Sequence, residues 1–214
     1  VSRRTWEVPE PDVARHLVPV RPADLSSATV DGADLAGTDL PELVQAQIEG
    51  SSLERARAGG GHWRRVTLVD CRLDGADLAN LRAEELTLMR TSLREVRLVG
   101  AQLAGARLRA VRLAGCLARL SSWRSARLQQ VVLEGCDLAE ADLTGAELTD
   151  VVLRDCVLSG AQLGGMRCER VELRGCRLDG VSGVAGLRGA RVAEEDAYEL
   201  LPAMARELGI TIGS

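Results

Sequence analysis

The sequence is poor in rings and lacks one kind of positive charge. Its 214 residues include no phenylalanine, one tyrosine and three tryptophans, which excludes a core assembled around large aromatic side chains. Lysine is absent too, so all 27 positive charges are arginine, set against 31 acids for a formal charge of −4. That balance argues against a chain held to nucleic acid by phosphate contacts. No stretch of about 18 apolar residues occurs, which removes a membrane-spanning helix. Arg3 and Arg4 have no apolar run behind them, so no secretory leader is read. With 46% hydrophobic and 27% charged residues the composition is that of a folded domain, and a soluble, cytoplasmic protein is expected.

What is abundant is leucine, and its spacing is the main signal. From Ile48 in steps of five to Leu178 there are 27 positions, of which 20 are Leu and one is Ile. Random placement of the 33 leucines would put roughly 4 there. The exceptions are Ala58, Trp63, Ala83, Ala118, Trp123 and Cys168. Two residues before most centres stands a small or medium side chain, as at Ala76, Ala101, Val111, Cys116 and Ala126. An α-helix would carry every fifth residue around its circumference, and a strand buries every second one, so neither hides this pattern. A solenoid does, if the small residue and the Leu face inward and the other three face water.

The small fillers repeat every twenty residues: Cys116, Cys136, Cys156 and Cys176; Val111, Val131, Val151 and Val171; Ala106, Ala126 and Ala146. Four pentads therefore make one coil, a square with its own filler on each side. Gly115, Gly135 and Gly175 recur at one corner, where the backbone turns without a side-chain penalty. Stacked at the strand spacing of about 4.8 Å, roughly eight and a half coils give a rod of about 40 Å.

Ala33-Asp34-Leu35, Ala76-Asp77-Leu78 and Ala141-Asp142-Leu143 match the motif A(D/N)LXX, and with the long register the sequence resembles the pentapeptide repeat proteins from about Ala23 to Val192. The resemblance implies an all-β fold, a right-handed quadrilateral parallel β-helix with an N-terminal cap and a C-terminal helical cap. The expected division is 1–22 as cap or arm, 23–192 as β-helix, and 193–214 as a C-terminal helix that caps and is a candidate for dimerisation.

Register slips mark both ends. Leu25, Val30, Leu35 and Leu40 lie on another phase, and the eight residues from Leu40 to Ile48 read as a bulge or corner insertion at Pro41. The run Gly59 to Gly61 reads as a loosened corner. Open solenoid ends are sheet edges that need covering. The proline-rich arm is expected to hold a short helix near Asp12 to Leu17. Glu194 to Leu208 reads as a helix that Pro202 kinks or divides and Gly209 stops. Leu200, Leu201, Met204 and Leu208 on this helix either cover the last coil or pair with a second copy. Gyrase-directed members of the family dimerise through their C-terminal ends, so the resemblance implies a homodimer here.

Six cysteines prompt thoughts of disulfides or zinc, but five occupy filler sites and Cys168 a Leu site, so all are expected to be buried free thiols. One column of thiols does not make a tetrahedral cage, and His16 and His62 are out of register with it. No nucleophile elbow, phosphate loop or His beside a nucleophile occurs. The chain reads as a non-enzyme with no cofactor and no metal.

The remaining signal is surface charge, which is banded. Residues 82–128 carry ten arginines and three acids, and 129–160 carry one arginine and seven acids. Folding the basic band onto a square places Arg90, Arg107, Arg109 and Arg127 on one side with Arg94 and Arg112 around the corner. Arg107 and Arg127 stack one coil apart, an unfavourable pairing that hints at an acidic partner. The acidic band holds Asp137, Glu140, Asp142, Glu147, Asp150 and Asp155, with Glu134 and Arg154 placed to pair across coils. Val99, Leu117 and Leu120 are apolar at outward positions, with Val157 beyond and Val132 and Val152 next door. The irregular stretch from Cys116 to Trp123 leaves two readings open, outward leucines or a bulge that turns them inward.

Some family members resemble a DNA duplex in width and charge and bind DNA gyrase or topoisomerase IV, protecting it from quinolones or peptide toxins. The resemblance therefore implies a non-catalytic DNA mimic that docks on gyrase through the acidic band. A protein-interaction scaffold using Leu117 and Leu120 or the charge bands is the alternative. Direct nucleic-acid binding by the arginines is disfavoured by the negative total and the lack of interleaved aromatics.

Overall fold

In the computed structural model, which describes residues 7–211, each pentad turns at its last residue. That residue takes a positive φ, as at Asp70 (51°), Arg90 (47°) and Gly135 (60°). Four such corners close a coil, and the next coil pairs in parallel twenty residues on: Arg107 faces Arg127, Arg127 faces Glu147 and Glu147 faces Arg167. The product is an all-parallel β-solenoid of about 8 turns with about 20 residues per coil.

Its four sides differ in what they carry. The arginine face has centres Leu68, Leu88, Leu108, Leu128 and Leu148; the valine face has Leu73, Leu93, Leu113, Leu133 and Leu153. The cysteine face has Leu78, Leu98, Ala118, Leu138 and Leu158; the tryptophan face has Leu43, Trp63, Ala83, Leu103, Trp123 and Leu143. Four strands of 8 residues, Arg107–Ala114, Arg127–Glu134, Glu147–Arg154 and Arg167–Arg174, run unbroken from the arginine face onto the valine face.

The exceptions to the leucine rule compensate one another. Trp63 follows Ala58 in one coil and Trp123 follows Ala118 in another, all four buried, so each ring fills volume that a missing leucine leaves. Each indole N–H is answered: Trp63 Nε1 donates to the Leu40 carbonyl at 2.9 Å, and Trp123 Nε1 to Ser121 Oγ at 2.7 Å. The axial cavity among Leu108, Leu128 and Leu148 measures about 30 Å³ and offers a ligand no polar group.

The N-terminal phase shift has a simple origin. Asp39 faces Arg57, eighteen residues on, but Glu42 faces His62, twenty on, so two residues are missing at the corner between them. Leu40 and Leu43, only three apart, serve adjacent sides and are both fully buried. The expected insertion at Pro41 is thus a deletion. The shortcut puts the Pro41 carbonyl 2.3 Å from where a Cβ on residue 61 would lie, while that carbonyl accepts the His62 N–H at 2.7 Å. Gly61 therefore marks a tight contact and not a loosened corner.

The ends are closed in two ways. At the C-terminal end, Val184–Leu187 forms a 3-10 turn and Arg191–Val192 pairs with Glu172 and Leu173. Two short helices follow, α1 (Glu194–Ala197) and α2 (Leu201–Glu207), joined by a 3-10 turn. Pro202 lies in the first turn of α2, where its missing N–H costs nothing, so it divides the expected helix. Carboxylates satisfy the open edge: Asp196 accepts the Cys176 N–H at 2.9 Å, Glu207 accepts that of Val184 at 2.8 Å, and Glu199 accepts that of Leu178.

At the other end no helix forms over 12–17. Pro9 and Pro11 bias the residues before them to extended backbone, and the arm runs as a strap along the corner between the arginine and valine faces. Val18 pairs with Ala33, the Ala14 N–H donates to the Gly50 carbonyl at 2.8 Å, and the Asp12 N–H donates to Asp70 Oδ1 at 3.3 Å. Glu10 reaches Arg94 at 2.8 Å, and Pro11 is buried.

Candidate protein-docking surface

Regular coils turn sequence position into position on the rod, so each candidate residue has a definite side. The acidic residues do not share one. Asp137 and Glu140 lie on or beside the cysteine face, Asp142 on the tryptophan face and Glu147 on the arginine face. Asp150 and Asp155 sit at two further corners. Arginines from neighbouring coils answer most of them. Arg119 lies 3.6 Å from Asp137 and 3.8 Å from Glu140, Arg124 2.9 Å from Asp142, and Arg170 2.5 Å from Asp150. Glu147 stands between Arg127, at 3.2 Å, and Arg167. Burial pushes the Asp142 carboxyl up, but bonds from Thr144 and Arg124 outweigh this and hold it below the usual carboxylate range.

The arginines divide into paired and unpaired. Arg90 clamps Asp70 with two guanidinium nitrogens, and that bonding holds the Asp70 carboxyl below its ordinary value. Arg112 takes Glu134 at 2.6 Å. The expected Glu134–Arg154 pair does not form, although the two residues are in register, because Arg112 in the adjacent coil already engages the carboxylate. Among the described residues Arg107 and Arg109 make no ion pair.

The apolar candidates separate as sharply. Val132 and Val152 are buried, each flanked in the ladder by side chains of the coils before and after: Arg112, Val132, Val152, Glu172. Leu117 and Leu120 stay outside, 48% and 56% exposed. No bulge turns them inward, since Leu117 keeps register between Arg97 and Asp137. Leu120 is the corner residue of its pentad and has a φ of +57°. For a non-glycine residue that conformation costs about 1–2 kcal/mol. The equivalent corners of neighbouring coils hold Asn80, Gly100, Glu140 and Gly160. Around the two leucines the cysteine face carries half-buried Ala79, Val99 and Val157 and buried Ala139, with the paired charges Arg97–Asp77 and Arg119–Asp137 among them. The exposed Leu120 at a strained corner was foreshadowed by one signal, a leucine where its column otherwise prefers Gly, Asn or Glu.

The C-terminal set also splits. Leu200 is buried with Ala203 and belongs to the cap, whereas Leu201, Met204 and Leu208 are exposed, joined by Tyr198 and Ile210, which sequence reasoning missed. A groove of about 520 Å³ runs beside α2 between Val184, Leu187, Val192, Met204 and Leu208.

Among the described residues no three His, Cys, Asp or Glu side chains gather as a metal site would, and no helix is long and apolar enough to cross a membrane. All six cysteines are free. Burial pushes the Cys71 thiol up to about 12 and Cys168 up to about 11, and Cys116, Cys136 and Cys176 donate to the Leu93, Leu113 and Leu153 carbonyls of the preceding coil. These are structural thiols.

The fold is that of a β-solenoid rod. Residues 71–110 and 124–155 match the family model for pentapeptide repeats in eight copies, so this part of the chain carries pentapeptide repeats. By sequence, no curated protein matches it. Among solved structures it is similar to HetL, a pentapeptide repeat protein involved in heterocyst differentiation regulation from the cyanobacterium Nostoc sp. strain PCC 7120. The identity is 22% and the TM-score 0.39, over 78% of this chain and 86% of that one. It is also similar to a trypsin-treated form of QnrB1, a plasmid-mediated fluoroquinolone resistance protein, at 16% identity and a TM-score of 0.42, over 89% of this chain and all of that one. A pentapeptide repeat protein from the Arabidopsis thaliana thylakoid lumen matches at 18% identity and a TM-score of 0.20, over 87% of this chain and 83% of that one.

Proposed function

We propose that the protein is a non-catalytic binding rod that docks a protein partner on its cysteine face, with DNA gyrase as the partner that the resemblance to gyrase-directed pentapeptide repeat proteins implies. One observation carries the docking face: Leu117 and Leu120 project together from the cysteine face, 48% and 56% exposed. Apolar side chains held outward side by side are what a binding surface offers, while the positive φ at Leu120 is shared by the other corners of the fold, Ala110 and Gln130 among them. Phosphate mimicry by the acidic band is the second reading. The net charge of 129–160 favours it, but the dispersal of those acids around the rod and their pairing with Arg119, Arg124, Arg127, Arg167 and Arg170 favour the leucines. In either reading the exposed Leu201, Met204 and Leu208 beside the C-terminal groove join two rods end to end.

Supercoiling by purified gyrase, with and without a quinolone, separates the readings. The parent protein is expected to inhibit the enzyme or protect it from the drug. A Leu117→Glu/Leu120→Glu variant is expected to lose at least 90% of that effect. A variant carrying Asp137→Asn, Glu140→Gln, Asp142→Asn, Glu147→Gln and Asp150→Asn is expected to keep it. The reverse pattern establishes mimicry, and no effect from the parent at micromolar concentration removes gyrase as the partner.

A further inference from the structure

We propose a second docking surface on the opposite side of the same coils: Arg107, Arg109 and Arg127 of the arginine face receive an extended acidic segment of a partner protein. Strand register puts Arg107 directly against Arg127 in the next coil, a like-charge pairing that destabilises a ladder unless an anion answers it. Glu147 answers Arg127 at 3.2 Å, but among the described residues nothing pairs with Arg107 or Arg109, and all three guanidinium groups are exposed. Elsewhere in the basic band Arg90, Arg94, Arg97, Arg112, Arg119 and Arg124 each hold a carboxylate, whereas among the described residues Arg82 does not. Exposed Gln129 and Gln130 beside the arginines add amide donors.

The chain itself displays the kind of occupant that fits. Its N-terminal strap, Glu7 to Asp12, is extended, acidic and broken by Pro9 and Pro11, and it is laid lengthwise on the corner that borders this face. Glu10 neutralises Arg94 at 2.8 Å, and the strap's backbone bonds to Asp70, which Arg90 clamps. One coil further along, that corner and the valine-face position in line with Arg94 are Ala110 and Ala114, and Arg109 stands beside the corner on the arginine face without such a cover.

A nucleic acid fits less well. The basic segment 82–128 spans little more than two coils, about 11 Å of rod at the strand spacing, and the next segment carries seven acids against one arginine. A duplex with a charge every ~1.7 Å would overrun the arginines into those acids. The side chains flanking Arg107 and Arg109 in the ladder, Thr87, Met89 and Gln129, offer no ring for base stacking.

The test is fluorescence anisotropy of a labelled peptide of sequence Glu-Val-Pro-Glu-Pro-Asp, titrated with the full chain at low and physiological salt. Saturable binding is expected, weakened at least tenfold by Arg107→Gln/Arg109→Gln and unchanged by Leu117→Glu/Leu120→Glu. The latter pair keeps this result separate from the fate of the cysteine-face reading. Urea unfolding of the arginine variant should superimpose on the parent, so that weaker binding is not misfolding. Equal affinity of parent and arginine variant, or no binding at millimolar peptide, overturns the proposal. So does an oligonucleotide of matching charge that binds more tightly than the peptide.

Discussion

Trp63→Ala is expected to cost about 3–5 kcal/mol of unfolding free energy, the range for removing a fully buried tryptophan from a core that cannot collapse around the gap. Collapse is blocked here because the coil is fixed at four corners and tied above and below by ladder bonds: Glu42 and Val44 to one side, Arg82 and Glu84 to the other. The loss has a second part, since the Leu40 carbonyl gives up the indole N–H it now accepts at 2.9 Å. Ala58 sits in the same coil where a leucine would ordinarily stand, so Trp63→Ala/Ala58→Leu should recover part of the loss. Urea denaturation of the parent and both variants checks this, and additive rather than compensating effects would deny that the two sites share one volume.

Gly61→Ala is expected to cost about 3 kcal/mol, at the upper end of what overpacking usually does. The added methyl would lie 2.3 Å from the Pro41 carbonyl oxygen and 2.9 Å from that of Ala58. Both are backbone atoms held in ladder or turn bonds, so neither yields as the end of a flexible side chain does. For a chain of this length the loss should lower the melting temperature by roughly 6–12 °C. A change below about 2 °C would mean that the shortened corner relaxes more easily than its hydrogen bonds suggest.

The regular part of this fold was legible because a single rule, a filler and a leucine every five residues with fillers repeating every twenty, leaves one solution. Where the rule is broken the reading became ambiguous for physical reasons. Eight residues between Leu40 and Ile48 are compatible with five plus an insertion or with three plus five, and only the buried Leu43 in register with Trp63 decides for the second. The strap from Glu10 to Val18 has no periodicity, and its contacts reach from Gly32 to Arg94. Charge bands counted along the chain misjudged the surface, because side chains meet at separations of 18 to 22 residues, as in Arg124–Asp142 and Arg112–Glu134, and so bring one band against the next. Val132 and Val152 were placed correctly in the pentad, but their burial depends on what the ladder sets on either side of them. Leu117 and Leu120 were recognised as outward residues. The conformational cost at Leu120 needed the backbone.

That cost makes the central claim measurable without knowing the partner. If the two leucines serve a docking surface and not the fold, Leu117→Ser/Leu120→Gly should unfold within about 1 kcal/mol of the parent, because relief of the left-handed leucine offsets the little apolar burial that the two half-exposed side chains provide. If they serve the fold, truncating both should cost 4 kcal/mol or more, at about 2 kcal/mol or more for each buried leucine. Urea unfolding of this double variant is the measurement: coincidence with the parent curve is the predicted result, and a loss of that size would contradict the docking surface.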